Sequence, residues 1–213
     1  IPDDMSFTHA ALVEPTANIV TDVLERATVE PEDFVAVIGP GPIGLTAAMA
    51  AKGDGAREVM IVGTPADVDL RLKTAKEVGI DHVINLGEED PVEKCMELTD
   101  GIGADMVVEC SGAPPAIASM PDYLRKRGRI CAVGLTGGRD VELDWDALQS
   151  KVLTVFFNMS TYYTSWDRSI SIIHSGKVDA DAIITHELPL SDWKQGFDAI
   201  ENMEALKVVL IPE

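Results

Sequence analysis

The sequence predicts an α/β protein built on a doubly wound parallel sheet, and three observations carry that expectation. Short runs rich in β-branched residues alternate with helix-patterned segments from residue 34 to residue 158. These runs are continuously apolar rather than alternating, the pattern of strands buried on both faces. A glycine-rich turn, GPGPIG at residues 39–44, joins the first run to an alanine-rich helix. With 213 residues, 46% of them hydrophobic, the chain has room for one generous domain or one domain with attachments.

FVAVIG (34–39) reads as a buried strand and Pro42 to Ala51 as the helix after it. Pro42 suits a first helical turn, where its missing N–H is not needed. EVMIVG (58–63) is the second strand, followed by an extended loop with Asp67 and Asp69 and a helix around Leu70 to Val78. HVINL (82–86) and a helix from Pro91 to Leu98 come next. DMVVEC (105–110), a helix from Pro115 to Lys126, RICAVGL (129–135) and KVLTVFFN (151–158) complete the series. Right-handed crossovers place six such strands in the order 3-2-1-4-5-6. Both flanks break the rhythm. Ser6 to Arg26 reads as helical; helices near Ser165 to His174 and Ser191 to Ile200 and a last strand, KVVLIP (207–212), form the tail.

Composition excludes several functions. The formal charge of −19, from 36 acidic and 17 basic residues, opposes nucleic-acid binding, which needs clustered Lys and Arg. It fits an acidic soluble surface, or adaptation to high salt. No apolar run reaches the ~18 residues of a membrane span. The N-terminus has neither cationic nor apolar signal character, and a start at Ile1 leads us to expect a natural start upstream or a trimmed chain. Cys95, Cys110 and Cys131 are far apart, without CxxC or His at ligand spacing, which opposes a disulfide framework or zinc knuckle and suits a reducing cytoplasm. His9, His82, His174 and His186 show no mutual ligand spacing either.

Gly39-x-Gly41-x-x-Gly44 stands between a strand and a helix, the setting a dinucleotide fingerprint requires. There the first glycine permits the turn, the second admits the pyrophosphate and the third lets helix and strand pack closely. The competing reading is a purely structural turn of small residues. The acid that usually holds the adenosine ribose follows the loop by about 20 residues, but Gly63-Thr64-Pro65 stands there. The same gap opposes a methyltransferase. Without that carboxylate a 2′-phosphate is not repelled, and Arg71 or Lys73 is placed to pair with it. NADP is therefore favoured slightly over NAD, with both open.

HAALVEP (9–15), GPGPIGLTAAMAA (39–51), AKEVGIDHVIN (75–85), VVECSG (107–112), GRICAVGL (128–135), ITHELPL (184–190) and KVVLIP share order and spacing with one group of enzymes. On these residues the chain resembles the medium-chain zinc-dependent alcohol and polyol dehydrogenases, sorbitol and threonine dehydrogenases most closely. The resemblance implies a Rossmann domain at residues 17–160. It implies that residues 1–16 and 161–213 complete a GroES-like catalytic domain whose main zinc-ligand region is not in this sequence. Gly39, Gly41, Pro42, Ile43 and Gly44 would hold the dinucleotide, with Gly63, Thr64, Ser111 and Gly112 toward the adenosine. Gly134, Leu135, Phe157 and Asn158 would face the nicotinamide, and Lys207 would reach the diphosphate. Glu14 would serve the catalytic zinc, as ligand or through its water. Relatives carry an Arg–aromatic pair where Phe157-Asn158 stands, so a guanidinium that would grip substrate hydroxyls is lost.

The implied function is the cofactor portion of an NAD(P)-linked oxidoreductase acting on an alcohol or polyol, with zinc only in the full-length protein. This chain alone would be inactive. A non-catalytic NAD(P)-binding or assembly module, and a zinc-independent reductase of the same superfamily, stand beside that reading. The apolar edge at KVLTVFFN implies a homodimer or homotetramer, with no membrane or nucleic-acid partner.

Overall fold

A computed structural model of the chain describes residues 1–212. Its sheet holds β1 (Phe34–Ile38), β2 (Glu58–Gly63), β3 (His82–Asn85), β4 (Ala104–Glu109), β5 (Leu124–Ala132) and β6 (Thr154–Phe157). All are parallel, in the order β3-β2-β1-β4-β5-β6, as the alternating pattern predicts. The central strands are apolar on both faces because helices cover both.

One layer contains α1 (Phe7–Ala10), α2 (Val13–Ile19), a π-helical continuation (Val20–Arg26), α3 (Pro42–Asp54) and α4 (Lys73–Glu77). Val35, Val37, Ile61 and Val108 pack there against Val20, Val23, Leu45 and Ala48. The alanines of α3 have no bulk to hold the helix off the sheet. The opposite layer contains α5 (Pro91–Leu98), α6 (Pro114–Tyr123) and α7 (Trp145–Ser150). Ala36, Met60, Val107 and Ile130 meet Cys95, Met120 and Tyr123 on that side. The tail adds α8 (Tyr163–His174), α9 (Ala180–Ile183), β7 (Ile184–Pro189), α10 (Trp193–Glu201) and β8 (Lys207–Ile211). Helix α8 packs on α2, while β7 and β8 pair in parallel as a separate two-stranded sheet.

Several elements differ from the sequence expectation. Residues 65–72 are not an extended loop but a 3-10 turn (Pro65–Asp67) running into a π-helical turn (Val68–Leu72). Thr64 and Asp67 cause this by capping one another reciprocally. Helix α6 ends at Tyr123 rather than Lys126, and β5 starts at Leu124 rather than Arg129. Pro121 lies in that last turn of α6, where it lacks the N–H that would bond back to the Ile117 carbonyl and so weakens the turn. Strand β6 is shorter than expected, and α7, α9 and β7 were not expected at all. No helix among the described residues is long and apolar enough to cross a membrane.

Asp22, in the π-helical turn, is 6% exposed. Burial pushes its carboxyl up to about 6, with Arg26 opposing the shift. The folded chain therefore holds this proton more tightly than the unfolded chain. The carboxyl favours folding below its ordinary 3.8 and works against it as pH rises through 6. Asp22→Asn should raise stability at pH 8 by about 1–2 kcal/mol relative to the parent, and the difference should vanish at pH 4. Urea denaturation of both proteins at the two pH values checks this.

Candidate functional site

Strand order reverses between β1 and β4, which opens a crevice outside the carboxyl ends of the strands. Gly39 follows β1 with φ +99°, and its N–H donates to the Val62 carbonyl at 2.9 Å. A Cβ on Gly39 would lie 2.9 Å from the Ser111 nitrogen, and one on Gly44 would overlap the Gly39 carbonyl oxygen. Gly41 differs, because a Cβ there would meet nothing within 4 Å. No side chain caps α3 at Gly41, so the first amides of this 13-residue helix have no intrahelical acceptor. Helix N-termini of this kind favour anions.

Glu109, at the end of β4, is 1% exposed. Its carboxylate accepts from the Ser111 N–H at 2.8 Å, the Gly112 N–H at 3.1 Å and the Ser111 hydroxyl. Its carbonyl accepts from Val133 and Gly134 at 2.9 and 2.8 Å. One buried residue thus fixes the loops after β4 and β5 together. A Cβ on Gly134 would lie 2.6 Å from Glu109 Oε2, and one on Gly112 would overlap the Leu135 carbonyl. Arg139 ties the next loop down by donating to the Gly112 carbonyl at 3.0 Å and the Thr136 carbonyl at 2.7 Å.

Two cavities flank this turn. One, of about 750 Å³, lies between α5 and α6 and is lined by Gly39, Gly41, Thr64, Arg71, Ser111 and Tyr123 among others. The other, of about 670 Å³, includes Glu109, Gly134, Leu135, Trp145, Phe157 and Asn158. In the first, Arg71 Nη1 donates to Asp67 Oδ1 at 2.8 Å. Asp67 Oδ2 accepts from the Thr64 N–H and hydroxyl at 2.8 and 2.7 Å. Burial raises the Asp67 carboxyl, but Thr64 and Arg71 together hold it below its ordinary value. Arg71 Nε is buried without a partner. A Cβ at Gly63 would lie 2.7 Å from Pro40 Cγ and 2.8 Å from Leu72 Cδ2, so a larger side chain there must displace them. In the second cavity both amide atoms of Asn158 are buried without a partner.

The fold brings Gly39, Gly41, Gly63, Thr64, Arg71 and Ser111 to the first cavity, and Gly134, Leu135, Phe157 and Asn158 to the second. Pro42 opens α3, Gly44 is buried beneath its first turn, and Gly112 supports the wall between the cavities. Ile43 packs on the core beside them. Arg71 departs from the expected free cation, because Asp67 already engages it. Lys207, which begins β8, lines neither cavity; Met203 lines the first instead. Glu14 also lies outside both, exposed in the first turn of α2, where Asn18 Nδ2 donates to its Oε1 at 3.0 Å. Among the described residues no group of three or more His, Cys, Asp or Glu side chains is arranged to hold a metal. Sequence reasoning assigned no role to Glu109. Its signal was an acid ending an apolar strand directly before Cys-Ser-Gly.

A family model described as zinc-binding dehydrogenase matches residues 42–175. The chain is similar to a sorbitol dehydrogenase of Halalkalibacterium halodurans, 40% identical over 212 residues, covering 100% of this chain and 61% of the relative. It is 32% identical to a D-arabitol-phosphate dehydrogenase of Enterococcus avium, covering 99% of this chain and 59% of that one. An alcohol dehydrogenase from Thermus sp. ATN1 shares its fold with a TM-score of 0.91 at 27% identity, across 100% of this chain and 62% of the other. The chain therefore spans about three fifths of the length of these relatives.

The glycines separate into two physical kinds, which stability measurements should resolve. Gly44→Ala forces α3 away from β1 and should cost about 3 kcal/mol or more. Gly41→Ala should stay within about 1 kcal/mol, since open space surrounds the position. Denaturant midpoints of the two variants provide the check.

Proposed function

This chain belongs to the family of zinc-binding dehydrogenases and carries its cofactor-binding domain, and we propose that the longer protein transfers hydride between an alcohol or polyol and NAD(P)(H). The observation that carries the reading is Gly41, a glycine with no neighbour to avoid at the uncapped start of α3. Its missing side chain is explained by a ligand's approach. The residues fit a dinucleotide: backbone N–H groups at the start of α3 suit the diphosphate, and the 750 Å³ and 670 Å³ cavities suit its two ends. When bound, the nicotinamide supplies the hydride donor or acceptor. This chain's contribution is to hold and orient it. Gly39 to Gly44 and Ser111 grip the shared diphosphate and adenosine half, while Gly134, Leu135, Phe157 and Asn158 enclose the ring. Lys207 keeps its proposed reach toward the diphosphate.

The described residues do not by themselves form a zinc site. Glu14 is proposed as one carboxylate of a site completed by residues outside this sequence. The division at residues 17–160 is proposed on the same basis. The separate β7–β8 sheet supports it, because these strands add nothing to the six-stranded sheet. The β6 edge exposes Thr154, Val155 and Phe157, the last at 74%. We assign it to a two-fold contact between copies.

Cofactor choice rests on Arg71. No acid occupies the last residue of β2, but the Asp67 carboxylate reaches back to Thr64 beside it and opposes a 2′-phosphate; Arg71 keeps donors beyond the one given to Asp67. The pairing with Asp67 makes the preference for NADP(H) modest. Calorimetric titration should find NADPH binding up to about tenfold tighter than NADH. Arg71→Ala should remove that difference by weakening NADPH alone. Tighter NADH binding that Arg71→Ala leaves unchanged would refute the assignment. Gly41→Val should weaken both cofactors while preserving the melting temperature; unaltered binding in that variant would overturn the dinucleotide reading itself.

A further inference from the structure

We infer that the Met203 side chain covers the dinucleotide held in the first cavity and slows its release, a task within the dinucleotide reading above, on which it rests. Every other described residue lining that 750 Å³ cavity lies between Ile38 and Tyr123, in the six-stranded body. Met203 alone comes from the tail, from the turn that joins α10 to β8.

The backbone of this turn favours a different residue. Helix α10 ends at Glu201, Asn202 caps it and Met203 follows with φ +61°. The Glu204 N–H donates to the Ala199 carbonyl at 2.8 Å, and the Met203 N–H donates to the Ile200 carbonyl at 3.1 Å. The two bonds make a Schellman motif, with Met203 at the left-handed position that glycine fills most readily. A side chain there strains the backbone. Packing on the sheet does not account for that cost, because Met203 is half-buried and belongs to neither hydrophobic cluster that covers the sheet. Strain held at a residue that lines a cavity points to a task in the cavity. The remaining lining combines glycine backbone at Gly39 and Gly41 with apolar side chains such as Val92 and Ala116. A thioether on a flexible apolar stem adapts to a ligand seated there. It carries no charge and no donor, so it does not compete for the diphosphate.

The test sets ligand release against stability, with no requirement for catalysis. Calorimetry gives the affinities of NADH and of ADP-ribose, which lacks the nicotinamide ring, for the parent chain and for Met203→Gly, Met203→Asn and Met203→Leu. Stopped-flow fluorescence gives the rate of NADH release. Met203→Gly should raise the melting temperature, because glycine relieves the strain, yet release NADH about fivefold faster and weaken both ligands by a similar factor. Met203→Asn, which also tolerates the left-handed backbone, should weaken both ligands as much, while Met203→Leu should bind like the parent. A glycine variant with parental affinity, or with a lower melting temperature, would overturn the assignment. A loss that the asparagine variant does not share would trace the effect to stiffness of the turn and overturn it as well. So would a loss for NADH that ADP-ribose escapes, or a leucine variant as weak as the glycine one. All four results leave the dinucleotide site intact. If the parent binds neither ligand, the site reading fails and the assignment with it.

Discussion

The site depends on a seam without side chains that crosses the carboxyl edge of the sheet. Gly44 lies against the Gly39 carbonyl, Gly39 against Ser111, and Gly112 against both Gly134 and the Leu135 carbonyl. Each contact is closer than a Cβ permits, so three strand ends and one helix start are drawn together by backbone alone. Glu109 fixes this arrangement. Its buried carboxylate gathers the donors of Ser111 and Gly112, and its carbonyl takes those of Val133 and Gly134. A buried charge held in this way is tolerable only while its partners stay in place, which ties the geometry of one loop to the next.

The position of the cavities follows from the seam. The Glu109–Gly112 turn is the wall between them, and the uncapped start of α3 borders the first. Local charge is arranged differently from the whole. The chain carries −19, yet at the first cavity Asp67 is paired with Arg71 and satisfied by Thr64. Repulsion of an anionic ligand by the distant surface acids is screened within about 8 Å at physiological salt. Short-range donors then decide what binds.

Much of this was legible in the sequence, for identifiable reasons. Strands β1 and β2 are buried on both faces, so their apolar runs leave no second reading, and Gly39, Gly41 and Gly44 sit where strand turns into helix. What escaped depends on contacts distant in sequence or on local hydrogen bonds. The turn at residues 65–72 is set by the Thr64–Asp67 capping pair, in a stretch that looks like a loop by composition. Strand β7 exists through pairing with β8, some twenty residues later, and its ITHELP carries too few apolar residues to announce it. Glu109 reads as a polar interruption until its donors are seen. Lys207 was placed by resemblance, and the fold sets it at the start of β8, outside the lining of both cavities.

Amide hydrogen exchange of this chain, with and without saturating NADH, tests the central claim most directly. The account predicts that the cofactor slows exchange at Gly39 to Gly44, at Ser111 and Gly112 and at Gly134 and Leu135, leaving β7 and α10 unchanged. Protection confined to the tail, or absent along the seam while NADH is demonstrably bound, would contradict it.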